Sequence, residues 1–479
     1  MTSLRERDSV PSEKASPGLA RSATPPGDDS YSPVDSALRP VRVLDIELSR
    51  PLCAIPTRDE QTGRTYSSAS ALVRLHSLPL GVLELALGAT GLTAQEGAEH
   101  IWQALGEAIN QHLADDGIDP LTDLPSSGLP APGSPPCLAD RHRVLADPPA
   151  ISVVVCTRDR TESLAKCLPS LLALDYARYE VIIVDNAPST TGTAELLADR
   201  AKSDPPVRYV REDRPGLSWA RNCGLRHAQG DIVAFVDDDA HTDRYWLAEI
   251  ARGFARGPKV ACVTGLALPA ELETPAQLCF EQFGGLTKYR GFSSQRFDFD
   301  ENRPDDPFFP YLAAQYGAGV NMAFRRSVLA DLGGFDPSLG AGTPACGAED
   351  IEAFYRVIDA GHTLAYEPGA MVRHYHRRDY ASLRRQLHGM GIAFTAYLCR
   401  CLADRPSRAF HLLRQIPRVP SYLLGARSPR NASKRANYPS ELSRTEILGM
   451  LQGPFAYAKS RRRKHQIIAQ YGLPEAPRP

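Results

Sequence analysis

The sequence predicts an α/β fold with a Rossmann-like, mainly parallel sheet, and three observations predict it. From residue 150, short apolar runs alternate with amphipathic segments, the order that right-handed strand-helix-strand crossovers produce. The runs "ISVVVC", "YEVIIVD", "DIVAFVD" and "KVACVTG" are continuous in Val and Ile, as strands covered on both faces require. The polar stretches "CTRDR" (156–160), "DNAPS" (185–189) and "DDD" (237–239) follow those runs directly. They therefore share the carboxyl edge of the sheet, where open α/β sheets hold ligands.

Each segment has its own reason. Residues 1–39 are rich in Ser, Pro, Asp and Arg and too poor in large apolar residues to offset the entropy of ordering, so they are expected to be disordered. Residues 40–115 carry strand-like "VRVLDIEL", "SALVRLHSL" and "GVLELAL", then a helix in which Ile101, Leu105, Ile109 and Leu113 recur at helical spacing. They form a small α+β unit. Residues 116–148 are dense in Pro and Gly and are expected to be a linker. The α/β domain covers 149–390, with helices expected over 161–173, 191–202, 217–228 and from about 243. Residues 391–479 are expected to be helical and basic: 373–466 holds about 20 Lys/Arg against about 4 Asp/Glu.

Composition excludes some classes. With 55 basic and 56 acidic residues in 479, no polyelectrolyte partner is implied. Ten cysteines occur without a CxxC pair, and Cys156 and Cys262 sit inside apolar runs. That pattern suits buried thiols in a reducing cytoplasm, with neither a disulfide framework nor zinc-type spacing. The first residues lack a signal peptide's apolar core and no run of 18 apolar residues occurs, so the chain is expected to be cytoplasmic and not membrane-spanning.

Three consecutive carboxylates, Asp237, Asp238 and Asp239, repel one another at the mouth of a buried strand. A cation offsets that repulsion. Oxygen ligands at a strand end suit Mn²⁺ or Mg²⁺, which keep positions open for phosphate oxygens. Further on, "GAGVNMAFRRSVLADLGGFD" (317–336) would let backbone approach a ligand closely, and "GAEDIEAFYRVIDAGH" opens a helix with Glu349 and Asp350. His374 and His376 follow a short apolar strand.

In order and spacing, "VVVCTRDR", "VIIVDNAPS", "GLSWARNCGLRHAQGDIVAFVDDDA", "GAGVNMAFRRSVLADLGGFD", "GAEDIEAFYRVIDAGH" and "MVRHYH" resemble the family 2 inverting glycosyltransferases with a GT-A fold, over about 149–380. The resemblance implies a nucleotide-sugar donor, with UDP favoured by analogy, and a glycan or lipid-linked acceptor in cell-surface polysaccharide or glycoconjugate synthesis. Thr157, Arg158 and Asp159 would line the donor, Asp185 would hold its base, and Arg221 and Asn222 would lie near it. Asp237 and Asp239 would hold the metal, with Asp238 against the donor ribose or sugar. His374 would be a third ligand, with His376 as competitor for that role. Asp350 would be the catalytic base, and Gly319, Asn321 and Glu349 would lie on the acceptor side.

Plainer readings stand beside these. Asp185 would cap a turn, Arg158 and Asp159 would pair at the surface, Arg221 and Asn222 would brace the sheet edge, and Glu349 and Asp350 would cap a helix. Two other functions use the same fold. A nucleotidyltransferase needs a Gly-rich or basic triphosphate loop after the first strand, and "CTRDRTES" has no glycine. A noncatalytic sugar-nucleotide-binding protein would not need its carboxylates intact. The basic C-terminal region lacks aromatic stacking platforms for nucleic acid and is expected to meet anionic lipid at the inner face of the membrane, or to pack on the catalytic domain with a solvated basic face.

Overall fold

A computed structural model describes residues 38–129, 135–198, 206–286, 290–404, 414–425 and 438–473, with positions 428, 431 and 434. The disorder expected over 1–39 falls almost wholly outside the described residues. Residues from Leu38 onward form one compact unit.

The amino-terminal part is a three-stranded sheet, β1 (Arg42–Glu47), β2 (Ser68–Leu75) and β3 (Leu78–Ala86), with the helix α1 (Ala94–Asp115) against it. β1 runs parallel to β2, and β3 returns antiparallel through the two-residue turn His76-Ser77. Thr93 and Glu96 cap α1 reciprocally, and Ile101, Ile109 and Leu113 are buried on one face. The segment expected as a linker is not bare chain. Leu124 and Leu129 are buried with Leu48, Val73 and Ile101, and α2 (Ala139–Ala146) sets the Arg141 guanidinium against Glu249.

The main sheet is built from β4 (Ile151–Thr157), β5 (Tyr179–Asn186), β6 (Val207–Glu212), β7 (Ile232–Asp237), β8 (Ala240–Thr242), β9 (Val260–Pro269), β10 (Gln295–Phe297), β11 (Asn321–Arg325) and β12 (Thr363–His374). Its order is β10-β12-β9-β11-β7-β4-β5-β6, and β8 pairs with β12. Every residue of β9 and nearly all of β4 and β5 are buried, which explains their unbroken Val/Ile composition. The helices α3 (Thr161–Leu172), α4 (Gly192–Leu197), α5 (Leu217–His227), α6 (Trp246–Ala255), α7 (Pro275–Gln282), α8 (Arg326–Asp331) and α9 (Glu349–Asp359) belong to this part. One core on each face of the sheet holds the domain together.

Two features position the site. β5 and β6 lie on one side of β4 and β7 on the other, so a crevice opens between the carboxyl ends of β4 and β7. β11 is antiparallel to β7 and β9, while β12 returns parallel to β9 and brings its far end back to the same edge.

The chain ends in α10 (Tyr380–Asp404), α11 (Val419–Leu424) and α12 (Ser440–Tyr471). α10 and α12 touch backbone to backbone: a Cβ on Gly449 would lie 2.1 Å from the His388 carbonyl oxygen, and one on Gly391 would lie 2.0 Å from that of Glu446. Asp336 ties the pair to the α/β domain, accepting from Arg400 Nε (2.5 Å) and Lys464 Nζ (3.0 Å). No described helix is long and apolar enough to cross a membrane.

Candidate active site

Strand register assembles the site. Cys156 stands opposite Asp237 and Thr157 opposite Asp185, so the ends of β4, β5 and β7 meet in one row. Thr157 Oγ1 donates to Asp238 Oδ2 (2.7 Å). Arg160, which the sequence reading passed over in favour of its two predecessors, forks across both remaining carboxylates. Its Nη1 donates to Asp238 Oδ1 (2.6 Å) and its Nη2 to Asp239 Oδ2 (2.7 Å). Burial pushes Asp238 up to about 6, against Arg160 and Thr157. Burial also acts on Asp239, but the His374 and Arg160 hydrogen bonds outweigh it and hold that carboxyl well below its usual range.

β8 pairs with the end of β12 so that His374 faces Ala240, the residue after the acidic trio. His374 Nε2 lies 3.2 Å from Asp239 Oδ1. One ligand atom each from Asp237, Asp239 and His374 lies within 4.8 Å of the others. His376, read as a rival ligand, is directed elsewhere: its Nε2 meets Glu281 Oε1 (2.7 Å) and its Nδ1 meets His374 Nδ1 (3.0 Å).

Behind Asp237 a buried arginine gathers groups from three other segments. Arg221 Nη1 donates to Glu349 Oε1 (2.7 Å) and Nη2 to the Gly319 carbonyl (3.1 Å), with Asp237 Oδ1 3.4 Å away. Burial raises Glu349 to about 7 in spite of Arg221. Asp350, in the first turn of α9, accepts from the Gly319 N–H at Oδ2 (2.7 Å) and from the Ile351 N–H at Oδ1 (2.9 Å). Each oxygen keeps a further lone pair free to accept.

Asp185 is 1% exposed; Oδ2 accepts from the Tyr209 hydroxyl (3.1 Å), while Oδ1 has no hydrogen-bond partner, and burial raises the group. Asp159 accepts from the Ser189 N–H (2.8 Å), joining the β4 and β5 loops, and Arg158 is half-exposed beside it at 3.9 Å. Two expected site residues are committed elsewhere. Asn222 exchanges hydrogen bonds with the Phe335 backbone (2.7 and 2.8 Å). Asn321 accepts from Trp246 Nε1 and donates to the Leu266 and Ala370 carbonyls, so its amide braces the sheet. A cleft of about 450 Å³ opens beside Asp238 and Asp239, and the cations on its walls include Arg160, Lys166, Arg377 and Arg378.

The sequence of this region is similar to that of known proteins. Residues 152–333 match the model of the family described as "Glycosyl transferase family 2". The chain is 29% identical over 228 residues to a pre-mycofactocin glycosyltransferase of Mycobacterium tuberculosis, covering 47% of this chain and 43% of that one. It is 28% identical over 230 residues to a glucosyl-dolichyl phosphate glucuronosyltransferase of Haloferax volcanii, covering 47% and 68%. To the succinoglycan biosynthesis protein ExoM of Rhizobium meliloti it is 32% identical over 239 residues, covering 49% and 69%. The chain thus spans less than half of the mycobacterial relative and about two thirds of the other two. On the family match and the identity shared over most of the Rhizobium protein, this chain belongs to glycosyl transferase family 2.

Proposed function

We propose that the chain moves a sugar from a nucleoside diphosphate donor to an acceptor hydroxyl with inversion, using a divalent metal. The observation that carries this reading is the convergence of Asp237, Asp239 and His374 at the sheet's carboxyl edge. Two carboxylates and one imidazole suit Mn²⁺ better than Mg²⁺, and three protein ligands leave room for diphosphate oxygens. Bound there, the ion would neutralise charge on the departing nucleoside diphosphate.

The surrounding side chains fit that task. If His374 ligates through Nε2, its proton sits on Nδ1 and is donated to His376 Nδ1, whose Nε2–H is donated to Glu281. This chain fixes the ring's tautomer and angle. The unpaired Asp185 Oδ1 suits an N–H of the donor base, a uracil in this proposal. Asp350 takes the proton from the acceptor hydroxyl as its oxygen bonds to the anomeric carbon. The bond from that carbon to the diphosphate oxygen breaks, and the electron pair leaves with the nucleotide. Attack opposite the leaving group inverts the centre, so one base suffices. Gly319 holds that base, and Arg221 orients Glu349 and Asp237 around it.

A lipid-linked or polysaccharide acceptor is in line with the names of the Haloferax and Rhizobium relatives, a glucosyl-dolichyl phosphate glucuronosyltransferase and a succinoglycan biosynthesis protein. One face of α12 favours peripheral attachment to anionic lipid. Arg444, Leu448, Leu451, Phe455, Lys459 and Arg462 form a single stripe at helical spacing, with the three apolar side chains 55%, 68% and 81% exposed. Each cation near such a surface adds about 1 kcal/mol.

A thermal-shift panel of sugar nucleotides with Mn²⁺ tests the donor, because a ligand held only by the native state raises the midpoint. Asp350→Asn should keep the shift and lose transfer. Retained transfer removes Asp350 from the role of base.

A further inference from the structure

Away from the cleft, four side chains with no telling spacing in the sequence meet at one point. His76 occupies the β2–β3 turn, His112 and Asp116 stand one helical turn apart at the end of α1, and Cys137 lies in the short 3-10 turn Pro136–Leu138 before α2. His76 Nδ1 is 3.1 Å from His112 Nε2, 3.0 Å from Asp116 Oδ2 and 3.5 Å from Cys137 Sγ. His112 Nε2 is 3.3 Å from Asp116 Oδ2, and all four ligand atoms lie within 4.8 Å of one another. Zinc bound at about 2.0–2.1 Å by nitrogen or oxygen and about 2.3 Å by sulfur gives tetrahedral edges of about 3.3–3.6 Å. These separations approach that figure, with the longest edge to sulfur.

Hydrogen bonding alone does not account for the cluster. One imidazole nitrogen makes one hydrogen bond, and here Nδ1 has three neighbours. A Cys-His-Asp nucleophile would set thiol and carboxylate on opposite ring nitrogens. In this cluster both lie at Nδ1, while His76 Nε2 is buried without a partner. The surroundings fit a ligand set: the side chains of His76 and Asp116 are 2% and 0% exposed, and Asp116 Oδ1 accepts from the Cys137 N–H (2.6 Å), which orients both ligands. His76 and Ser77 adopt φ of 52° and 65°, as a two-residue hairpin turn requires, and this turn sets the His76 ring over the end of α1.

We propose that His76, His112, Asp116 and Cys137 form a closed tetrahedral zinc site that staples the amino-terminal unit to the segment entering the catalytic domain. Thiolate and imidazole donors select zinc over Mn²⁺ or Mg²⁺, and four protein ligands leave no open position, which marks a structural site. The staple continues through Arg141, which donates to Ser77 Oγ (2.7 Å) and to Glu249 Oε1 on α6 (2.5 Å). The sequence reading found no zinc spacing because the ligands come from three separate segments.

The test uses the full chain, grown with zinc, dialysed and assayed by atomic emission, with Co²⁺ titrated into metal-stripped wild type. About one zinc per chain is expected, together with a thiolate-to-cobalt charge-transfer band. Asp239→Ala should retain that zinc. Cys137→Ala and His112→Ala should lose it, since even outer-shell losses cost about 10- to 100-fold in affinity. Folded wild type without zinc and without the cobalt band overturns the proposal, as does zinc that depends on Asp239 and not on Cys137. The wild-type measurements stand even if the variants fail to fold.

Discussion

Replacing Gly319 by alanine should disable the proposed base without emptying the donor site. A Cβ there would lie 2.7 Å from Asp350 Oδ2 and 3.1 Å from Arg221 Nη2, with Asp350 Cβ also at 3.1 Å. Ordinary contact begins at 3.4 Å, so the carboxylate must retreat by about 0.7 Å, and the Gly319 N–H that aims it shifts as well. Misplacement by about 1 Å costs about 10²-fold in rate, or about 2.7 kcal/mol of barrier. Asp237, Asp239 and His374 stand on other elements, so donor binding should persist. The assay measures nucleoside diphosphate release with the donor identified by thermal shift, alongside the variant's own midpoint. The expected result is turnover lowered by about 10²-fold with the Mn²⁺-dependent donor shift intact. Turnover within about twofold of wild type would refute the assignment of Asp350 and its loop.

Three further outcomes follow from the same contacts. Arg160→Ala leaves Asp238 and Asp239 without their shared guanidinium, so the metal-free protein should lose about 1–2 kcal/mol after allowance for the arginine's partial exposure; Mn²⁺ should restore most of it, and chelator-controlled urea unfolding reads the difference. Lys464, Arg400 and the Ser338 N–H outweigh burial and hold Asp336 at about 2, below the usual 3.8. A depressed carboxylate stabilises above its unfolded pKa and loses that contribution as pH falls through the folded one, here between about 4 and about 2. Asp336→Asn should therefore cost about 2 kcal/mol at pH 7 and nothing extra in acid, measured by unfolding at both pH values. Gly449→Leu drives a side chain into the His388 carbonyl and should part α12 from α10, seen as a lowered midpoint and new protease cleavage in α12.

The sheet was legible because its strands are buried on both faces, and burial of that kind writes itself as unbroken Val and Ile. The acidic trio was legible because three adjacent carboxylates after "IVAFV" have no packing explanation. Side-chain direction was not. In "CTRDR" the sequence drew attention to Arg158 and Asp159, yet only the backbone path after β4, with Asp159 at φ 51°, shows that Arg160 turns inward. Asn222 and Asn321 sit inside motif stretches, but their amides satisfy buried backbone groups, a debt visible only once the sheet and the Phe335 loop are in place. Likewise His376 lies two residues from His374 but beyond the end of β12, so strand alternation says nothing about its direction.

The most direct measurement is the thermal shift given by a nucleoside diphosphate to wild type, Asp237→Ala and Asp239→Ala, with Mn²⁺ or with chelator. At a ligand concentration about 100 times Kd the wild type should gain about 2.7 kcal/mol with Mn²⁺ only, and both variants should gain almost nothing. An equal shift under chelator, or in Asp239→Ala, would contradict metal-held diphosphate binding at this site.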